Sequence, residues 1–231
     1  GRLVDECQAA AVALPFFLDR AESHGKAALL AKRLLDVLGA TALLVALSPL
    51  MLAIALAVRL SSPGPVIYCQ QRIGRGGARF AFYKFRSMRV DTDDSVHREY
   101  IARLIEGRHD TVNQGDDAQP HYKLKFDPRV TGIGRLIRKT SMDELPQLWN
   151  VLKGDMSLVG PRPPIPYEVE KYHPWHLRRV LEARPGITGL WQVEGRSRVS
   201  FDEMVRMDLR YVRDWSLWLD IRILVRTVGA V

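Results

Sequence analysis

The stretch that decides the fold is VLGATALLVALSPLMLAIALAV, residues 37–58, which contains no charged side chain. A helix rises about 1.5 Å per residue, so its roughly 22 residues reach about 33 Å, enough to cross the hydrocarbon core of a bilayer. Lys32 and Arg33 precede the stretch, and Arg59 follows it. The sequence therefore predicts a membrane helix. The stretch begins too far into the chain, and is too long, for a secretory signal peptide.

Ser48–Pro49, in the middle of this helix, leaves its topology open. Proline lacks a backbone N–H and clashes with the preceding turn, so we expect a kink. A bent helix can enter one leaflet and return, which leaves both basic flanks on the cytoplasmic side. A spanning helix with a tolerated proline fits the same residues. A buried helix of a soluble protein is the third interpretation.

The composition indicates a folded, basic protein of a reducing compartment. With 231 residues, 47% hydrophobic and 26% charged, the chain suits one domain with a short appendage. Its net charge of +8 favours anionic partners: phosphate esters, acidic lipid headgroups or nucleic acid. Cys7 and Cys69, the only cysteines, provide no disulfide framework and no zinc-ligand set. Because the chain starts at Gly1, we expect residues 1–30 to be the tail of an upstream region or an amphipathic lead-in.

Beyond the apolar stretch, the patterns indicate a hairpin followed by helices. Residues 66–72 and 79–86 are typical of two strands joined by the glycine-rich loop 73–77. Residues 91–106 suit an amphipathic helix, and the polar residues 107–120 suit an insertion. No internal repeat or flexible linker divides the remainder. The sequence predicts an α+β, mainly helical fold with a small β-hairpin.

An acidic pair lies in the sequence RKTSMDELP, which begins at Arg138. Ser141 followed by Glu144 is the pattern of a capping box, and for such a pattern a structural role is the commoner one. The same helix N-terminus would keep Asp143 ionised and attract phosphate through its free N–H groups. An ionised carboxylate beside cationic Arg138 can attack phosphorus and form an acyl phosphate. The pattern alone leaves cap and catalytic pair both open.

Two rigid loops carry further cations. Gly160–Pro164 displays Arg162, which either grips a phosphate bidentately or is simply solvated. Residues 184–189 form a second rigid loop, followed by Trp191 and Arg196, with the same two interpretations. Neither loop identifies a function by itself.

Two patterns near the carboxyl end have structural explanations. Ser200 and Glu203 form a second capping box at the start of a helix. Residues 211–228 mix tryptophans, aliphatic residues and arginines. They fit a membrane-interface helix and a core-facing amphipathic helix equally well.

Several other classes of site are disfavoured. Glu170, His173 and His176 are three residues apart, but Pro174 disrupts the helix that a zinc site would need. The chain lacks a Walker loop, a G-x-S-x-G elbow and a dinucleotide fingerprint. No recognition motif accompanies the basic charge, so we expect no nucleic-acid partner.

Taken together, these residues resemble the bacterial sugar transferases known as monotopic phosphoglycosyl transferases. The resemblance covers about residues 31–231, and the matching stretches are 32–36, 48–49, 62–66, 83–88, 141–163, 184–189 and 215–220. The longest of them, SMDELPQLWNVLKGDMSLVGPRP, is highly specific.

The resemblance implies an enzyme that transfers a sugar-1-phosphate from a UDP-sugar to polyprenyl (undecaprenyl) phosphate, with Mg²⁺, and releases UMP. This is the first membrane step of exopolysaccharide, O-antigen or capsule synthesis. Asp143 would be the nucleophile, would carry the phosphosugar and would contact the metal, with Glu144 as its catalytic partner. The implied substrate-binding residues are Lys84, Arg138, Arg162 and, from the Gly-Arg after the Gly-Leu-Trp-Gln stretch, Arg196. Asp208 would either brace this group or serve the core.

The resemblance also implies a re-entrant helix-break-helix at residues 31–61. It would hold the catalytic domain, residues 62–231, in contact with membrane lipid on the cytoplasmic face of the bacterial inner membrane. The transferred sugar stays open, as do monomer against homodimer and any role of residues 92–121. A non-catalytic, membrane-anchored scaffold that binds anionic lipid or nucleotide is the alternative from another class.

Overall fold

The computed structural model describes residues 25–90, 95–107, 113, 129–195 and 198–230. These residues form helices and two small two-stranded sheets, so the predicted mainly helical fold with a hairpin is confirmed. The helices are α1 (Lys26–Ser61), α2 (Ser95–Ile105), α3 (Gly132–Lys139), α4 (Gln147–Lys153), α5 (Pro166–Val169), α6 (Pro174–Glu182), α7 (Leu190–Glu194), α8 (Phe201–Arg213) and α9 (Leu217–Ala230). The strands are β1 (Ile67–Ile73), β2 (Arg79–Phe85), β3 (Ser157–Val159) and β4 (Gly186–Thr188), and 3-10 turns cover Arg75–Gly77 and Met142–Glu144.

Helix α1 contains the apolar stretch and runs through Pro49 without interruption. It is the one helix, within the described ranges, that is long and apolar enough to cross a membrane. Proline at position 49 leaves the carbonyl of Val45 without its helical donor. The Ser48 hydroxyl donates to that carbonyl over 2.8 Å. The helix therefore continues through the expected break at Ser48–Pro49, and the Ser48 hydroxyl satisfies the carbonyl that Pro49 leaves without a donor.

Both ends of α1 are buried against the rest of the chain, whereas its middle is mostly exposed. Ala40 joins the main hydrophobic core, and Ile54 and Val58 join a second cluster with Phe85. Most side chains of residues 41–53 are exposed. The two halves of the helix thus contact one and the same domain.

The amino-terminal end of α1 is fixed by buried polar bonds. Lys32 forms an ion pair with Asp220 over 2.7 Å. Arg33 donates to two carbonyls in the last turn of α4, at 2.6 and 2.8 Å. Asp36 is fully buried and accepts hydrogen bonds from the Ser157 hydroxyl and from the backbone N–H of Leu158, both at 2.9 Å. The charged residues before the apolar stretch therefore dock the helix.

Strands β1 and β2 form the predicted antiparallel hairpin, within one residue of the expected bounds. Arg72 pairs with Phe80, and Tyr68 pairs with Lys84. The side chain of Asn150, in α4, accepts from the backbone N–H of Tyr83 and donates to the backbone carbonyl of Ala81, both in β2. This amide fixes the hairpin against α4.

Strands β3 and β4 run parallel and bring the two rigid loops side by side. A Cβ on Gly186 would lie 2.1 Å from the backbone nitrogen of Gly160, and one on Gly160 would lie 2.4 Å from the Arg184 carbonyl. The two loops can approach this closely only because both positions lack a side chain.

The remaining helices answer the other sequence predictions. Helix α2 lies inside the expected range 91–106, whereas the insertion at 107–120 lies almost wholly outside the described residues. The Ser200 and Glu203 capping box is confirmed. Helix α9 buries one face through Ile223 yet exposes 65% of Trp218. It therefore has the expected core face, and its role at a membrane interface stays a prediction.

We expect Asp36→Ala to lower the free energy of unfolding by about 2–3 kcal/mol, because it leaves a buried hydroxyl and a buried N–H without their acceptor. Asp214→Ala, which removes an exposed carboxylate paired with its neighbour Arg213, should change it only slightly. Denaturant unfolding of the detergent-solubilised chain would measure both. Equal effects would show that Asp36 does not dock the helix.

Candidate active site

Glu144 is the point where three separate segments meet. Its Oε1 atom lies 3.0 Å from Lys84 Nζ, at the end of β2, and 3.2 Å from Arg162 Nη1, in the loop after β3. Burial by itself raises the pKa of Glu144, but the charges and hydrogen bonds of the two cations outweigh this and lower it to about 2. Glu144 is therefore ionised throughout the physiological pH range.

Asp143 has the opposite environment. It is only 6% exposed, and no hydrogen bond or ion pair reaches its carboxylate from the described part of the chain. Burial raises its pKa, opposed by the charge of Lys84 and reinforced by that of Glu144. Desolvation thus works against the ionised form of Asp143, and this acid lies in a short 3-10 turn rather than at the expected helix N-terminus. The charges of Lys84 and Arg162 act on Asp143, but both of these cations are bonded to Glu144.

The predicted Ser141 and Glu144 capping box is also wrong. Ser141 takes a left-handed conformation, with φ of 54°, and its side chain caps nothing. The acidic pair lies in a short 3-10 turn, and α4 starts only at Gln147. Glu144 cannot reach back to the cap position because its carboxylate is bound to Lys84 and Arg162. A non-glycine residue in this conformation is strained, a feature common at functional sites.

Arg138 adds a further cation beside the two acids. It lies in the last turn of α3, whose first turn is capped by the Thr131 hydroxyl. Its buried Nη1 atom has no hydrogen-bond partner among the described residues. The positive charge of Arg138 acts on Asp143 and lowers that residue's pKa. A buried guanidinium nitrogen without an acceptor suits an incoming phosphate.

The hairpin brings two cations to one aromatic ring. Lys84 Nζ lies 5.3 Å from the Phe82 ring centroid, and the Arg72 guanidinium lies 5.0 Å from the same centroid. Burial lowers the pKa of Lys84, and burial lowers that of Arg72 to about 10. Arg72 had no predicted role. Strand alternation carried a usable signal, since it places Arg72 and Lys84 on the same face of the hairpin.

The structure thus gathers five of the six predicted site residues: Lys84, Arg138, Asp143, Glu144 and Arg162. The sixth, Arg196, lies outside the described residues.

Asp208 does not contact the acidic pair. Its Oδ2 atom lies 2.7 Å from Nη2 of Arg179, and burial raises its pKa to about 6. Arg179, which the sequence analysis did not single out, donates in turn to the backbone carbonyl of Arg162. The predicted bracing by Asp208 therefore reaches the site only indirectly.

Glu170, His173 and His176 form no zinc site in the described structure. His176 is fully buried, accepts at Nδ1 from the backbone N–H of His173 and contacts Asp202 over 3.1 Å. The described ranges contain no group of three His, Cys, Asp or Glu side chains placed to bind a metal ion.

Comparison with known proteins places the chain in a family. The family described as bacterial sugar transferase matches residues 27–231, so the chain belongs to the bacterial sugar transferases. The family prediction made from the sequence is confirmed.

Three similar proteins illustrate this family. The galactosyl transferase CpsE of Streptococcus agalactiae serotype III is 46% identical over 88% of this chain and 42% of its own length. The undecaprenyl-phosphate galactose phosphotransferase of Salmonella typhimurium is 46% identical over 87% of this chain and 40% of its own. The exopolysaccharide production protein ExoY of Rhizobium meliloti is 42% identical over 87% and 85%, respectively. The chain thus spans about two fifths of the first two relatives.

The lowered pKa of Glu144 predicts an acid-dependent loss of stability. Its contribution, about 3 kcal/mol, is fully present above the ordinary glutamate pKa of 4.5 and is lost as pH falls towards about 2. The difference in unfolding free energy between the unsubstituted chain and Glu144→Gln should therefore shrink from pH 6 to pH 3.

Glu99→Gln, at an exposed carboxylate paired with Arg103, is the matched control and should show almost no such trend. A pH-independent difference for Glu144→Gln would contradict the ion-pair assignment. Thermal unfolding across this pH range measures both variants.

Proposed function

We propose that this chain transfers a sugar-1-phosphate from a UDP-sugar to polyprenyl (undecaprenyl) phosphate, and that Asp143 carries the phosphosugar between two half-reactions. The observation that carries the proposal is the contrast between the two adjacent acids. Glu144 is held by two cations, whereas the buried Asp143 carboxylate has no bonding partner within the described residues. A carboxylate free of hydrogen bonds beside a cluster of cations is suited to attack on phosphorus.

In the first half-reaction, an Asp143 oxygen attacks the phosphorus that bears the sugar. A new P–O bond forms to the carboxylate, the bond to the bridging diphosphate oxygen breaks, and the electron pair leaves with UMP. Arg138 and Arg162 compensate the charge that develops on the phosphoryl oxygens. Arg138 is suited to this because its Nη1 atom is buried without an acceptor in the described structure.

In the second half-reaction, a phosphate oxygen of the polyprenyl phosphate attacks the same phosphorus. The bond from phosphorus to Asp143 breaks, which restores the carboxylate and yields a polyprenyl diphosphate sugar. Lys84 and Arg162 can bind either Glu144 or a substrate phosphate. When phosphate takes these cations, the pKa of Glu144 rises towards its ordinary value, and its carboxylate can accept a proton from the lipid phosphate.

The acidic pair also fits Mg²⁺. This ion is commonly held by one or two carboxylates together with substrate phosphates rather than by a complete cage of side chains. Asp143, whose carboxylate has no partner within the described residues, would hold it next to the donor diphosphate. When bound, the ion would neutralise phosphate charge and favour the ionised form of Asp143.

Helix α1 supports the proposed membrane arrangement. Both of its halves pack against the same domain, and its exposed middle is apolar, which supports a re-entrant helix over a spanning one. In α9, Trp218, Val225 and Val228 are 65%, 68% and 83% exposed. They give the domain an apolar face suited to the bilayer surface. We place the catalytic domain on the cytoplasmic face of the bacterial inner membrane, where nucleotide sugars are present.

Relatives support this reaction class and leave the sugar open. Similar proteins are named as undecaprenyl-phosphate phosphotransferases for galactose in Salmonella typhimurium and for glucose in Komagataeibacter xylinus. Others carry names from exopolysaccharide production. We therefore propose a UDP-hexose donor and a role in the first membrane step of a surface polysaccharide.

The reaction predicts UMP release from one UDP-sugar, with Mg²⁺, beyond a single turnover only when undecaprenyl phosphate is present. Asp143→Asn should lower the rate at least about 1,000-fold, since it removes the nucleophile. A screen of UDP-sugars with UMP detection tests this. UDP as the product would contradict the proposal and indicate an ordinary glycosyltransferase, and nucleotide binding without turnover would indicate a scaffold.

The re-entrant topology predicts that both ends of α1 lie on the cytoplasmic side. With Cys7 and Cys69 replaced by Ser, single cysteines at Lys26 and Ser61 should both resist a membrane-impermeant thiol reagent added to intact cells. Both should react in inverted vesicles. Labelling of one end in intact cells would show that the helix spans the membrane.

A further inference from the structure

The loop that displays Arg162 has an unusual backbone. Three of the five residues in Gly160–Pro164 are prolines, which have no N–H to donate, so the loop cannot brace itself with backbone bonds in the usual way. Its four carbonyls at positions 161–164 are instead each held by a different donor from outside the loop. The donors, in order, are Gly186 N at 2.8 Å, Arg179 Nη2 at 3.0 Å, Arg72 Nη1 at 2.9 Å and Ile73 N at 3.0 Å.

Two of these donors are buried arginines. Arg72 and Arg179 are 7% and 3% exposed, and burying a guanidinium is costly unless it is compensated. Arg179 is compensated by Asp208, and Arg72 by the Phe82 ring. A backbone carbonyl could be satisfied by a neutral group at lower cost. The use of two charged donors on adjacent carbonyls therefore calls for an explanation beyond loop stability.

The place where they bind supplies that explanation. Arg179 holds the carbonyl of Arg162 itself, and Arg72 holds that of Pro163, the next residue. The two donors come from different elements, α6 and β1, so they restrain the loop from two directions. The Arg162 guanidinium lies 3.2 Å from the carboxylate of Glu144. Small rotations of the backbone at this position would move the guanidinium away from the site.

We propose that Arg72 and Arg179 are positioning residues that fix the backbone of Arg162 so that its guanidinium meets the diphosphate of the donor. Asp208 acts one step further out, by orienting Arg179. This inference rests on the proposed function for the identity of the ligand. Neither arginine touches the reacting atoms. Their positive charges add to the field that draws an anion to the site.

A double-mutant cycle tests whether the two arginines act through Arg162. We expect Arg72→Lys and Arg179→Lys, in the full 231-residue chain in detergent, each to weaken binding of UDP about tenfold, since each loses a charged hydrogen bond that sets the loop. In an Arg162→Ala background, either substitution should change UDP binding less than about twofold, because the residue it positions is absent. Calorimetry with UDP as the probe gives these values without turnover.

The matched controls are Arg178→Lys, next to Arg179 and paired with Glu182, and Arg79→Lys at the exposed start of β2. Both should leave UDP binding within about twofold. Asp208→Asn is a second variant for the Arg179 arm and should give the same non-additive loss in case Arg179→Lys does not fold. Kinetics should show a raised KM for the UDP-sugar.

Equal losses with and without Arg162 would overturn the inference, as would the absence of any UDP binding by the unsubstituted chain. A fall in unfolding temperature with no change in UDP affinity would also overturn it, because the arginines would then be purely structural. UMP release is measured separately. Non-additive effects on UDP binding without UMP release would therefore reject the proposed function and keep the positioning role. UMP release with additive effects on UDP binding would reject the positioning role and keep the proposed function.

Discussion

The ion cluster of Glu144 with Lys84 and Arg162 is the interaction on which the rest of the site depends. Lys84 and Arg162 lie 60 and 18 residues from Glu144 in the sequence, so a different part of the fold must position each of them. Asn150 bonds β2 to α4 and thereby fixes the strand that carries Lys84. The external donors to the Gly160–Pro164 loop fix Arg162. A partly buried charge cluster is stable only when its geometry is held in this way.

The same cluster separates the two acids chemically. Glu144 takes the two cations and its pKa falls to about 2, whereas burial raises the pKa of the adjacent Asp143. Two neighbouring carboxyls whose pKa values are pushed apart are suited to different roles, one as a fixed charge and one as a reactive group. A substrate phosphate that competes for Lys84 and Arg162 would link donor binding to the state of both acids.

Periodicity and turn chemistry predicted the local elements well. The hairpin, the long apolar helix and the Ser200 and Glu203 cap each depend on residues close in sequence, and all three are present. The prediction of a Ser141 cap was wrong because the carboxylate of Glu144 binds Lys84 and Arg162, which are distant from it in the sequence. Local patterns contain no information about such a competitor.

Buried charges were the main features that the sequence did not reveal. Arginine is a residue type usually found at the surface. Only the folded chain shows that Arg72 and Arg179 are buried and bonded to loop carbonyls. Lys32 and Arg33 were expected to flank a membrane helix. They also bind Asp220 and the end of α4, which the sequence did not indicate. In each case tertiary contacts decide the role of a charge whose position in the sequence suggests exposure.

The most direct test of Asp143 as the nucleophile is mass spectrometry of the chain after incubation with its UDP-sugar and Mg²⁺ in the absence of lipid acceptor. The account predicts one added sugar phosphate per chain, located on the peptide that contains Asp143. This adduct should be absent from Asp143→Asn and should disappear when polyprenyl phosphate is added. UMP formation without any adduct under these conditions, or an adduct on a different residue, would contradict it.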